Sequence, residues 1–366
     1  MNSKQGKQAV WTGVILLLLL YAPRSRAVLF ESTGDPSYNT TAPSGTLTNS
    51  GWQYEGFWGN FMGTAIAPTF FLAAQHVGGS TGDVFVLNGV NYHPVASFDC
   101  PGTDLRIWKV AETFPNYAPL YTKTNEVGKT LVVMGRGTLR DTPVVVDGKT
   151  NGWNWGTHDG AIRWGENVVS GIYTAVNVGQ TLVADFDRPG ITNECDLSNG
   201  DSSGGMFIQD GTLWKLAGIN YAVEGNFSFD GTSNTEFIAA MMDLRGLYVG
   251  GGTNWTLIPT NNATAVPSSF FCSRVSVHTD WIYSVINFEP GIDLCINTIQ
   301  TVGPDVKLSL CTGSNRLYRV DSISDLVTGV WTTVTNNIPG TGNTVSVIDP
   351  GAANQPKRFY HAIILQ

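Results

Sequence analysis

The chain reads as an all-β protein of two units, and three observations carry that reading. Short apolar or alternating runs recur along its length, separated by turns rich in Gly, Asn, Asp and Pro. Glycine supplies 42 of 366 residues and charged residues only 14%, a composition that suits loop-rich sheets. A polar segment at 251–269, rich in Gly, Asn, Thr and Pro, parts residues 28–250 from residues 270–366 and is expected to be a linker.

Residues 1–27 read as a secretory signal. Lys4 and Lys7 give the basic start, Val14 to Tyr21 the apolar core, and Ser25-Arg26-Ala27 a small-x-small cleavage site. That core is short for a bilayer span, so a secreted protein without membrane insertion is expected once the signal is cut. The cut leaves 17 basic against 29 acidic residues, a balance that argues against nucleic acid or an anionic membrane as the main partner. Five cysteines, Cys100, Cys195, Cys272, Cys295 and Cys311, are too few for a disulfide scaffold, and the odd count leaves at least one thiol unpaired. None has the spacing of a zinc site, and neither a metal nor an organic cofactor is expected.

Taken in order, residues 29–60 read as coil with short edge strands. Gly63 to Ala67 and Phe70 to Ala74 form two strands around a Pro68-Thr69 turn, the second running into Gln75-His76. Asp83 to Leu87 with Asn88-Gly89 is a strand entering a hairpin turn. Leu105 to Val110 alternates as a strand with Asp104 at its head; Thr130–Met134, Pro143–Val146 and Thr181–Phe186 follow. Met206 to Gln209, the Asp210-Gly211 turn and Leu213 to Ile219 make a hairpin, and Phe237 to Leu247 is the moderately helical stretch of this half. Beyond the polar segment, strands are expected at Val306–Leu310, Arg316–Val320, Val330–Val334, Thr344–Ile348 and Arg358–Leu365.

Chemistry is concentrated in Gly200-Asp201-Ser202-Ser203-Gly204-Gly205. Glycines beside a serine let backbone N–H groups approach a substrate together with the hydroxyl. A serine becomes a nucleophile when an imidazole takes its proton, and a buried carboxylate fixes that imidazole's tautomer. His76 follows an apolar strand, Asp104 heads an alternating one, and the serine loop comes last. Asp99 competes with Asp104 for the acid role, but only Asp104 begins an alternating strand. His93, His158, His278 and His361 read as surface or packing residues. Trp153, Trp155 and Trp164 alternate with Gly and Asn and read as core or loop aromatics, with a glycan-binding surface the alternative.

With its order of His, Asp and Ser and a hairpin after the serine, the stretch 55–250 resembles the trypsin/chymotrypsin-like serine protease family. The carrying motifs are Ala73-Ala74-Gln75-His76, Asp104-Leu105-Arg106-Ile107, Gly200-Asp201-Ser202 and Leu216-Ala217-Gly218-Ile219-Asn220. The resemblance implies a trypsin-like double β-barrel followed by a small β-sandwich-like domain, and a secreted endopeptidase acting on protein or peptide substrates. It makes His76 the general base, Asp104 the orienting acid and Ser202 the nucleophile, with the N–H groups of Gly200 and Ser202 as the oxyanion hole. Ser203 is the alternate nucleophile. Choosing it shifts Met206-Phe207 by one residue and so turns the following strand over, which favours Ser202.

Asp196, Asn220 and Tyr221 are the candidate substrate-pocket residues, Asp196 standing where trypsin carries its Arg/Lys-selecting aspartate. No Ile-Val-Gly-Gly start follows a basic cleavage site, so Asp201 needs a partner other than a newly freed amino terminus. Residues 270–366 resemble the small β-sandwich modules that end many secreted bacterial proteins, which implies surface or glycan attachment. A catalytically weak homologue acting as a surface-binding or adhesion protein is the alternative reading of the whole chain.

Overall fold

The computed structural model describes residues 28–286, 294–312, 317–341 and 344–365. Residues 1–27, where an export signal is expected, lie outside them. The expected fold class is the one observed: a mostly β chain with a double-barrel body followed by a smaller β unit.

The first half of the body is a seven-stranded antiparallel sheet. Its order is Val90–Tyr92, Phe85–Leu87, Glu55–Trp58, Phe61–Ala67, Phe70–Ala74, Leu105–Val110 and Pro94–Asp99. The Asn88-Gly89 hairpin forms as its sequence demands, both residues taking positive φ (52° and 77°). The second half is a closed six-stranded barrel. It runs Arg163–Ala175, Gly179–Asp185, Ser269–Arg274, Leu213–Val223, Gly205–Asp210 and Thr130–Gly135, which pairs back with Arg163–Ala175.

Alternation sorts the side chains between three cores. Phe71 and Ala73 enter an aromatic cluster with Trp58, Phe85 and Trp108, while Phe70, Leu72 and Ala74 face the opposite way. Met206 and Ile208 fill the closed barrel, and Phe207 points outward. Phe70, Leu72, Phe207, Leu216 and Ile219 share one cluster, so the strands bearing the histidine and the serine loop are buried on both faces and packed together. Double-sided burial is why these strands read as continuous apolar runs rather than as clean alternation.

Two expectations are corrected here. The segment 251–269 does not separate two units: Ser269–Arg274 is a barrel strand, paired with Gly179–Asp185 and Leu213–Val223. The helix Thr279–Ile286 then buries Ile282 against the shared cluster, so the body continues to residue 286. Phe237–Leu247 is not helical. Glu236–Met241 is a strand in a six-stranded sheet ordered Thr138–Val146, Lys149–His158, Glu236–Met241, Asn226–Ser228, Tyr248–Gly251 and Asn254–Leu257. An apolar run such as Ile238 to Met242 has no period that separates a buried strand from a helix, and here cross-strand pairing decides.

The C-terminal unit comprises two three-stranded sheets around one core of Leu308, Leu310, Tyr318 and Val320. Cys295 and Cys311, opposite each other on paired strands, form a disulfide; Cys100, Cys195 and Cys272 are buried thiols. Among the described residues no helix is long and apolar enough to cross a membrane.

Candidate active site

His76 and Asp104 meet because of strand register. Phe70–Ala74 and Leu105–Val110 are antiparallel with Ala74 opposite Leu105, so the residues just past each strand end face one another. The short 3₁₀ turn Gln75–Val77 then presents His76. His76 Nδ1 lies 2.6 Å from Asp104 Oδ2, and the His76 backbone N–H donates to Asp104 Oδ1 at 2.9 Å. Gln75 braces the aspartate loop: its N–H donates to the Asp104 carbonyl, and its side-chain amide reaches the carbonyls of Cys100, Thr103 and Leu105. Asp104 is buried while the His76 side chain keeps 37% of its surface open, so the carboxylate is sheltered and the imidazole's other edge is free. Asp99, the competing carboxylate, is instead paired with Arg106.

The serine loop sits at the head of the strand Gly205–Asp210. Its two serines occupy different environments. Ser202 is half-buried and lines a cavity of about 430 Å³ together with His76, Tyr221 and Asn220. Ser203 is fully buried, in the left-handed region at φ 70°, and its Oγ accepts the Ala74 N–H at 2.9 Å. That bond ties the serine loop to the histidine strand two residues before His76. Tyr221 stands edge-on to the His76 ring with centroids 5.9 Å apart. Asn220 is buried beneath the loop, its side-chain amide donating to the carbonyls of Met134 and Asp201.

Among the described residues neither the Gly200 N–H nor the Ser202 N–H has an internal acceptor, whereas Asp201, Ser203 and Gly204 donate to Ser198, Asn220 and Asp201. Gly200 has φ 98° and lies against the His158 ring, where a Cβ would collide, so no other residue fits without rearrangement. His158, read from sequence as a surface or packing residue, is thus exposed but flanks this loop. Nothing in its local sequence signals that placement, which arises from the long hairpin Thr138–His158.

Asp201 turns inward and carries the loop. Its carboxylate accepts the Gly137 N–H at 2.5 Å, the Ser198 N–H at 2.8 Å and the Ser198 hydroxyl at 3.0 Å. Burial pushes its pKa up to about 6, against the lowering effect of these donors. These groups serve as the partner that the sequence leaves open. Sequence reading missed Ser198, whose hydroxyl also accepts the Thr138 N–H at 2.6 Å.

The pocket expectation divides. Asn220 and Tyr221 line the cavity, but Asp196 does not. Asp196 is fully buried in a short pairing with Leu29–Phe30, its carboxylate accepting from Ser268 and from the Leu197 N–H, and burial pushes its pKa up to about 7. A strand pairing that turns the aspartate away from the cleft is the reason it cannot meet a ligand there. Trp155, by contrast, lines the cavity, while Trp164 lies in the shared core and Trp153 carries the Arg140 guanidinium 4.0 Å over its ring. No group of three or more His, Cys, Asp or Glu gathers in metal-binding geometry among the described residues.

No family model and no curated protein matches the chain. Among solved structures, it is similar to the protease Rv3671c of M. tuberculosis in its inactive form, at 13% identity and a TM-score of 0.34 over 55% of this chain and 92% of that one. It is also similar to the NS6 protease of murine norovirus 1, at 14% identity and a TM-score of 0.32 over 60% of this chain and 98% of that one.

Proposed function

We propose that the chain is a serine endopeptidase in which Ser202 is the nucleophile, His76 the general base and Asp104 the orienting acid. The observation that carries this reading is the 2.6 Å contact between His76 Nδ1 and Asp104 Oδ2 at the rim of a cavity that Ser202 shares. Asp104 accepting from Nδ1–H leaves Nε2 free to take the Ser202 hydroxyl proton as Oγ bonds to the scissile carbonyl carbon. The carbonyl oxygen gains the negative charge, and the N–H groups of Gly200 and Ser202, which have no internal acceptor among the described residues, are its donors in this reading. The imidazolium returns its proton to the leaving amine, giving an acyl-enzyme on Ser202. Water, deprotonated by the same imidazole, then releases the carboxylic acid and restores the hydroxyl.

Ser203 is unsuited to that role, because its hydroxyl is buried and engaged with the Ala74 N–H. It serves as a structural tie between loop and strand. We read Met1–Ala27 as an export signal and the working protein as secreted, on the strength of the apolar run Val14–Tyr21. The test is pre-steady-state hydrolysis of an activated ester by the purified full chain. A burst equal to the enzyme concentration, with the acyl mass mapped to Ser202, is the expected result. An absent burst in folded protein, or an acyl group on another residue, would refute the assignment.

A further inference from the structure

We propose that the cavity beside Ser202 receives an uncharged, largely apolar substrate side chain and that Trp155 is its specificity-determining residue. This inference rests on the endopeptidase reading above and adds the substrate class. The far wall of the cavity comes from the six-stranded sheet and not from the closed barrel. Asn154 pairs with Ala239 and Asn226 with Ile238, so Trp155, Ile238 and Asn226 fall side by side across three strands. All three line the cavity. Gly225 lies against the Trp155 indole so closely that a Cβ there would enter the ring, which fixes how near the strand approaches.

The remaining wall carries Leu197, Ala222 and Val223, with Ser198, Asn199 and Asn220 as its uncharged polar members. Charge is nearly absent. Among the described residues no Lys or Arg lines the cavity, and the one carboxylate that does, Asp201, is buried and already accepts from three donors. A lysine or arginine side chain would therefore lose its hydration without gaining a counter-ion, and an aspartate or glutamate would find no cation. Asp196, which would have supplied basic-residue selection, is turned away into its pairing with Leu29–Phe30. A cavity of about 430 Å³ is in the range of small-ligand pockets and accommodates an aliphatic or aromatic side chain. Among the described residues the Trp155 Nε1–H is buried without an acceptor, and the amide of the neighbouring Asn226 is engaged with Glu236 at 2.8 Å.

The test uses the full chain, a fluorophosphonate label and a peptide library varied at the residue preceding the scissile bond. Label on Ser202 with cleavage after Leu, Met, Phe or Tyr, and kcat/KM for Lys, Arg, Asp and Glu at least about tenfold lower, is expected, since a one-group mismatch in an apolar pocket costs about that much. Trp155→Phe should keep that order, while Trp155→Ala should reduce the apolar-over-charged ratio about tenfold. Label with preferred cleavage after charged residues would overturn the inference and leave the endopeptidase reading standing. So would label with no library cleavage, or a Trp155→Ala profile identical to wild type. Neither label nor cleavage would overturn the endopeptidase reading and the inference with it.

Discussion

Replacing Ser198 by alanine tests how the oxyanion loop is held. The hydroxyl donates to the buried Asp201 carboxylate at 3.0 Å and accepts the Thr138 N–H at 2.6 Å. Its removal costs the carboxylate one charge-assisted hydrogen bond, about 1.5–3 kcal/mol, and leaves the Thr138 N–H buried without an acceptor, about 1–3 kcal/mol. The two losses belong to one network and do not simply add, so a destabilisation of about 2–4 kcal/mol is expected. Because Asp201 lies between Gly200 and Ser202, slack in its anchoring also displaces the two unengaged N–H groups. Loss of one well-placed oxyanion donor costs about 10²–10³ in rate, and partial displacement should cost about tenfold or more. Urea unfolding and the second-order rate of fluorophosphonate labelling measure the two effects on the same sample. A midpoint and a labelling rate both equal to wild type would refute the argument that Ser198 holds the loop. Lower stability with an unchanged labelling rate would refute the link from Asp201 to the oxyanion donors.

Ser203→Ala should lower stability by about 1–3 kcal/mol, because the buried Ala74 N–H loses its acceptor. Ser203→Gly loses the same bond but relieves a positive φ that costs an L-residue about 1–2 kcal/mol, so urea unfolding should place it between Ser203→Ala and wild type. Asp104→Asn should fold and yet slow labelling by about 10³–10⁴, since an amide no longer enforces the required imidazole tautomer; a rate within tenfold of wild type would speak against the role. Stability should also depend on pH in a defined direction. Burial raises Glu55 and Glu194 to about 8, Asp196 to about 7 and Asp201 to about 6, so the folded chain holds these protons more tightly than the unfolded one. Their contribution is full below about pH 4, the unfolded carboxylate range, and is lost as pH rises towards 8. Asp210, held at about 2 by Lys123 and Lys215, acts oppositely and loses its contribution in stronger acid. Urea midpoints should therefore be highest near pH 4–5 and fall towards pH 8; a midpoint rising over that interval would contradict the burial argument.

What could be read from the sequence was local. The Asn88-Gly89 turn, the hairpin after the serines and the strands flanking His76 and Asp104 each carry their signal in adjacent residues, and each forms. The His76–Asp104 contact follows from a register that two apolar strands impose by themselves. What escaped depends on distant pairing. Ser269–Arg274 follows a polar segment that looks like a linker, but Gly179–Asp185 and Leu213–Val223 both need it to close their barrel. Phe237–Leu247 reads as helical because Ala239 to Met242 are buried in succession, which erases the alternation that would identify a strand. Asp196 stands at a position that suggests a pocket, yet its orientation is decided by pairing with Leu29–Phe30. Trp155, Ser198 and His158 reach the site by the folding back of the hairpin Thr138–His158 and by a carboxylate turned inward, and neither leaves a motif.

The most direct test of the central claim is peptide mapping of the fluorophosphonate-labelled full chain, comparing wild type with His76→Ala, Ser202→Ala and Ser203→Ala. Label on Ser202 in wild type and in Ser203→Ala, with none in Ser202→Ala and at least about 10³-fold slower labelling in His76→Ala, is the predicted result. Label on Ser203, or a rate on Ser202 indifferent to His76, would contradict the assignment of nucleophile and base.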